Sequence, residues 1–315
     1  MMKSLGFVFP GQGSQSVGML ADIATAFPEV QAVFAEASQV LDYDLWELVT
    51  QGPAEKLDLT EYTQPALLTG GYAIWRVIQS TRPLKPALLA GHSLGEYTAL
   101  VCAEALSFPE AVQLVRARGR YMQEAAPLGK GALAAIVGLE DAVVQMICQK
   151  AAGDEVLAPA NFNSPGQVVI AGDIEAVKRA VQLAKEQGAR MAKLLSVSVP
   201  SHCILMKPAA EQLKKILANM NIATPAIPVI NNVDVAIYDT AESIRDGLVR
   251  QLSMPVRWVE LVNGFAEKGI THIVECGPGK VLTGLNKRIV PEMQLTQTAD
   301  VGSLKSLLEM TLQVE

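Results

Sequence analysis

The chain has 315 residues, half of them hydrophobic and 18% charged, which suits one large α/β domain or a core carrying an inserted subdomain and argues against disorder. Its 26 basic and 32 acidic residues leave a net charge of −6, which argues against non-specific nucleic-acid binding and leaves room only for a local basic patch. No apolar run reaches the length of a membrane span, and Met1-Met2-Lys3-Ser4-Leu5 does not open a secretory leader, so a soluble cytoplasmic protein is expected.

The first predicted strand is Leu5–Phe9, stopped by Pro10 and the turn Gly11-Gln12-Gly13-Ser14-Gln15. Helices are expected near 29–40 and from Gln64-Pro65 to about Ser80. A small, aliphatic strand, Ala87–Ala90, follows, and an apolar helical segment begins beyond Gly95. Strands alternating with helices predict a mostly parallel sheet covered on both faces. The middle of the chain reads differently: strand Ala132–Val137, helix Asp141–Lys150, strands Val156–Asn161 and Gln167–Ala171, helix Ile174–Gln187, and strand Arg190–Val197. That β-α-β-β-α-β order predicts a ferredoxin-like subdomain over residues 127–197, inserted into a larger domain built from 1–126 and 198–315. Helix 209–220 and strands Val229–Asn231 and Ile270–Glu275 return to the larger domain.

The Gly11 loop fits no nucleotide pattern. Ser16 stands where a dinucleotide fingerprint needs glycine, and Met19 follows Gly18 where a phosphate loop needs lysine. It reads either as a plain glycine turn or as a loop presenting Gln12 to a neighbouring site. Gly91-His92-Ser93-Leu94-Gly95 lies where a strand turns into a helix. Such an elbow would expose the Ser93 hydroxyl as a nucleophile and offer the Leu94 amide as an oxyanion donor; the alternative is a serine acting as a helix N-cap. A base must come from three histidines. The elbow is expected to aim His92 away from Ser93, and His272 lies inside a strand. His202, after Pro200, reads as a general base or as a surface-loop histidine, with no acidic partner adjoining it. In PEAVQLVRARGRYMQEA, at about 100° per residue, Arg118 falls on the apolar face with Val115, Met122 and Ala125, whereas Arg116 and Arg120 project to the polar side. A charge on that face calls for an anion, either a buried Asp or Glu or a substrate carboxylate. The cysteines at 102, 148, 203 and 276 form no C-x-x-C pair and the histidines are dispersed, so no metal site is expected and the thiols are expected to be reduced.

The segments FVFPGQGSQ, YTQPAL, GHSLGEYTAL, RGRYMQEA, NFNSPGQVVIAG, VPSHC, QLSMPVRW and ECGPGKVLTGL, in this order, resemble the malonyl-CoA:acyl carrier protein transacylases of bacterial fatty-acid synthesis and the related acyltransferase domains. The resemblance implies an α/β-hydrolase-like domain with a ferredoxin-like insert and the site in the cleft between them. It implies Ser93 as the acylated nucleophile and His202 as its base, with Gln12 and the Leu94 amide at the oxyanion hole. Arg118 would clamp the malonyl carboxylate, Met122 and Asn161 would line the site, and Gln251 would orient the histidine through a backbone carbonyl. Malonyl-CoA and phosphopantetheinylated acyl carrier protein are the implied partners, with no cofactor. Two other enzyme readings stand beside this one: a malonyltransferase of another malonyl pathway, and a serine esterase or thioesterase using, for example, Asp234 and His272. A non-catalytic carrier-protein-binding module is the reading from a different class. Lys185, Arg190, Lys193, Lys287 and Arg288 are unranked candidates for meeting an acidic carrier.

Overall fold

The computed structural model describes residues 4–126, 129–195 and 199–310. Five parallel strands form the larger sheet in the order β7-β2-β1-β8-β9: β1 (Leu5–Phe9), β2 (Leu88–Gly91), β7 (Val229–Ile230), β8 (His272–Glu275) and β9 (Gln294–Gln297). β1 and β2 are apolar throughout because both of their faces are buried. Phe7, Phe9 and Leu89 face one layer, which includes the helices Glu29–Leu41, Thr60–Thr81, Leu94–Cys102 and Phe108–Ala125. Val8, Leu88 and Ala90 face the other, where Trp258, Phe265, Leu282 and Leu285 come from the helices Trp258–Glu267 and Val281–Ile289.

A second sheet, wholly antiparallel, has the order β4-β5-β3-β6: β3 (Gly131–Val137), β4 (Leu157–Ser164), β5 (Gln167–Asp173) and β6 (Met191–Leu194). The helices Asp141–Ala152 and Ile174–Glu186 cover one face, packing Val144, Ile147 and Val177 on Ile136, Val168 and Ile170. This is the expected ferredoxin-like arrangement. The expected ends of the insert, Pro127 and Val197, lie outside the described residues. The opposite face of the small sheet, with Leu133 and Val169, turns toward the larger domain and packs with Cys203.

One expectation shifts. The long helix begins at Thr60 rather than at Gln64-Pro65: the Tyr62 and Thr63 amides already donate to the Leu59 carbonyl at 2.8 and 2.9 Å, so its first turn forms ahead of the proline. The segment after Asn286 supplies β9 and a final helix, Val301–Met310, whose Leu304 and Leu307 are fully buried. Among the described residues no helix is long and apolar enough to cross a membrane.

Candidate active site

The end of β2 and the helix Leu94–Cys102 meet at Ser93, whose backbone is held at φ 51°, ψ −105°. Gly91 and Gly95 make the sharp turn possible. A Cβ at 91 would lie 1.8 Å from the Gly95 carbonyl carbon, and one at 95 would lie 2.0 Å from the Phe9 carbonyl oxygen. The Ser93 side chain does not cap its helix. Instead its Oγ is 2.8 Å from His202 Nε2. The other ring nitrogen, Nδ1, is 2.8 Å from the Gln251 backbone carbonyl. A carbonyl only accepts, so Nδ1 carries the proton and Nε2 is free to accept from Ser93. His202 is buried rather than on a surface loop. Burial first, and the positive charge of Arg118 second, lower its pKa from 6.5 to about 3, so the imidazole is neutral and the Nε2 lone pair faces the Ser93 hydroxyl.

Arg118 is 1% exposed, on the buried face of the helix Phe108–Ala125 with Val115 and Met122. Its Nη2 donates to Ser93 Oγ at 3.2 Å and to Gln251 Oε1 at 3.0 Å. The guanidinium lies 5.3 Å from the Tyr97 ring centroid. Among the described residues it forms no ion pair, and its Nε has no hydrogen-bond partner. Arg116, by contrast, reaches the surface, bonding Glu61 at 3.1 Å and the Leu41 carbonyl, and Arg120 pairs with Glu124.

The cleft, about 190 Å³, has walls from both domains. Gln12 and Leu94 border it from the larger domain; Leu94 opens its helix, so its amide is one of the N-terminal donors with no intrahelical acceptor. Gln12 Nε2 is 3.4 Å from Thr60 Oγ1. Met122 lines the floor, its sulfur accepting from Gln64 Nε2 at 3.4 Å. Asn161 comes from β4 at a register shift beside its bridge to Val256, an irregularity that re-aims a strand residue. Val281, Leu282 and Leu285 form the remaining wall. Their helix is held by buried Glu275, which accepts from the amides of Leu282 and Thr283 at 3.0 and 2.7 Å.

The two other histidines stand apart from Ser93 Oγ. His92 Nε2 donates to Asn163 Oδ1 at 2.8 Å. His272 pairs with Leu5 at the opposite end of the sheet from Gly91, four residues or about 13 Å along β1, and bonds Thr296. Asp234 is engaged by Arg250 and Tyr238. The esterase-type pair Asp234–His272 therefore does not assemble on Ser93.

Sequence reasoning missed Glu96, Asn232 and Gln64. Asn232 Oδ1 accepts from the Ser93 amide at 2.6 Å and its Nδ2 donates to the Gly91 carbonyl at 2.7 Å, clamping the elbow. Glu96 was open to the same reasoning as Arg118, being a charge inside an apolar helix segment. Asn232 is joined to Ser93 only by the fold.

The chain belongs to the acyl transferase domain family, whose model matches residues 6–307. It is 54% identical over 309 residues to the malonyl CoA-acyl carrier protein transacylase of Escherichia coli strain K12, covering 98% of this chain and all of the relative. The malonyl CoA-acyl carrier protein transacylase of Coxiella burnetii superposes with a TM-score of 0.97 at 50% identity, over 98% of each chain. A malonyl-transacylase solved in complex with its type II PKS acyl-carrier protein superposes with a TM-score of 0.96 at 54% identity, over 98% of this chain and 99% of that one.

Proposed function

We propose that the chain moves the malonyl group of malonyl-CoA to the phosphopantetheine thiol of acyl carrier protein, in fatty-acid biosynthesis, through a malonyl-Ser93 ester. The relatives' shared name and the family match support the reaction. The observation that carries the site assignment is Arg118: a buried guanidinium with no carboxylate partner among the described residues, 3.2 Å from Ser93 Oγ. A cation so placed matches an acyl group that ends in a carboxylate.

Ser93 Oγ transfers its proton to His202 Nε2 and attacks the thioester carbonyl carbon. The carbonyl oxygen takes up negative charge beside the Leu94 and Gln12 amides. The carbon–sulfur bond breaks, His202 returns the proton to the coenzyme A sulfur, and the malonyl-serine ester remains. The carrier's thiol then gives its proton to His202 and attacks the ester, and Ser93 recovers the proton as it leaves. Arg118 and Gln251 hold the two ends in place: the guanidinium faces the malonyl carboxylate, and the Gln251 carbonyl keeps His202 in the accepting tautomer. Met122 and Asn161 shape the walls. We also read residues 127–197 as a small subdomain inserted into 1–126 and 198–315, supported by two sheets that share no strand. The four cysteines are buried and unpaired, which suits a reducing cytoplasm.

Malonyl-CoA alone should leave one malonyl group on the peptide containing GHSLGE, with ping-pong kinetics, and Ser93→Ala should abolish both adduct and transfer. An adduct on Cys102 or Cys203 would sink the assignment. The relative solved with a type II PKS carrier favours a second reading, in which the acceptor is a polyketide carrier. Comparing transfer rates to the two kinds of carrier separates them.

A further inference from the structure

Gln251 lies between Arg118 and a second buried ionisable side chain, Glu96. Its Oε1 accepts from Arg118 Nη2 at 3.0 Å, while its Nε2 donates to Glu96 Oε2 at 2.8 Å and to the Ser93 carbonyl at 3.0 Å. The same Glu96 oxygen accepts from the Asn232 amide at 3.0 Å. Glu96 is 3% exposed and, like Arg118, forms no ion pair within the described residues. A carboxamide has one donor end and one acceptor end. Two acceptors, the Glu96 carboxylate and the Ser93 carbonyl, stand on one side of Gln251, and a guanidinium that only donates stands on the other. Only one orientation of the amide satisfies all three.

We propose that Glu96 is a positioning residue that sets the polarity of the Gln251 amide and thereby aims Arg118 at the acyl group's carboxylate. Selectivity for a carboxylate-bearing acyl group then depends on a residue that touches no substrate. Removing the Glu96 acceptor leaves the Ser93 carbonyl alone to hold the Gln251 NH₂ on that side, so the amide is less firmly fixed and the guanidinium loses part of its support. This inference rests on reading Arg118 as the malonyl clamp.

The measurement is kcat/KM for malonyl-CoA and for acetyl-CoA, which lacks the carboxylate, in purified full-length variants. Glu96→Ala should lower the malonyl-to-acetyl ratio by roughly tenfold, the loss of a charge-assisted contact. Glu96→Gln, whose carboxamide oxygen can still accept from Gln251 and Asn232, should keep the ratio within about threefold of the parent. In the double variant Glu96→Ala/Arg118→Ala the ratio should be that of Arg118→Ala alone, because Glu96 acts through the arginine. Should Glu96→Ala not fold, Glu96→Asp serves: withdrawing the carboxylate by one methylene should lower the ratio while Glu96→Gln preserves it. Equal loss for both substrates, with the ratio collapsing only in Arg118→Ala, overturns the inference and makes Glu96 a support of the elbow alone. An unchanged ratio in Arg118→Ala overturns the clamp itself, and this inference with it.

Discussion

His202, the base of the proposed reaction, is kept uncharged by its surroundings. Its pKa falls from 6.5 to about 3, through burial first and the Arg118 charge second. The ordinary value near 6.5 expected for an exposed imidazole therefore does not govern the pH profile. The rate of Ser93 acylation, measured by rapid quench, should be flat from pH 8 to about 5 and fall only in stronger acid. A limb centred near 6.5 would mean that His202 titrates as if in water. The same shift acts on stability. Between pH 6.5 and about 3 the unfolded chain holds a proton on this residue that the folded chain does not, so its contribution is complete above 6.5 and is lost as the pH falls. His202→Ala should cost orders of magnitude in acylation, whereas His272→Ala, in a residue bonded to Thr296 at the far end of the sheet, should leave acylation nearly intact. The period of its helix places Arg118 on the apolar face, and one residue type at three positions takes two fates: 116 and 120 find carboxylates at the surface, and 118 is buried.

At the scale of elements, the strand–turn–helix of the elbow depends on backbone contact. β1, β2 and the following helix approach so closely that the Gly95 position has no room for a side chain, and the atoms it would meet, Phe9 O and Pro10 O, are backbone. Gly95→Ala should cost on the order of 3 kcal/mol or more, above ordinary overpacking, because backbone has to move. Gly284 is the control: it sits in the helix Val281–Ile289 with nothing within 4 Å of a Cβ, so Gly284→Ala should stabilise by about 0.5–1 kcal/mol. Urea unfolding midpoints test both. Equal effects at the two positions would remove the close-approach account of the elbow. Asn232 and Gln251 then hold the turn once it is made, one at the Ser93 amide and one at its carbonyl.

At the scale of the whole molecule, the cleft exists because the small sheet covers one face with its own helices and turns the other to the larger domain. Polar ties fasten the two beside Ser93. The Phe162 amide donates to the Val256 carbonyl at 3.0 Å, the Val256 amide to the Ala160 carbonyl at 2.9 Å, and His92 to Asn163 at 2.8 Å. Asn163→Ala breaks only the last of these. It should cost about 1 kcal/mol, or roughly 2 °C in Tm. Amide exchange in β4 should rise, and KM for malonyl-CoA should rise with it, because the Asn161 wall is less firmly held. Unchanged exchange and KM would show that the backbone ties suffice.

The sequence by itself determined the features that follow from local rules. The apolar strands β1 and β2, the glycines of the elbow, the β-α-β-β-α-β order of the insert and the burial of Arg118 all follow from period, composition and turn chemistry over a few residues. The segment after Asn286 shows the limit: Gln294–Gln297 adds β9 at the sheet edge although it is only half-buried and lacks an apolar signature. Which histidine meets Ser93 was decided by tertiary structure alone. His202 lies 109 positions from the serine and His92 beside it, yet the elbow sends the neighbour to Asn163 and brings the distant ring to 2.8 Å. Asn232, Gln251 and Glu96 meet under Ser93 for the same reason. A hydrogen bond needs atoms within about 3 Å and aligned, and separation along the chain does not set that distance; the packing of strand ends and helices does.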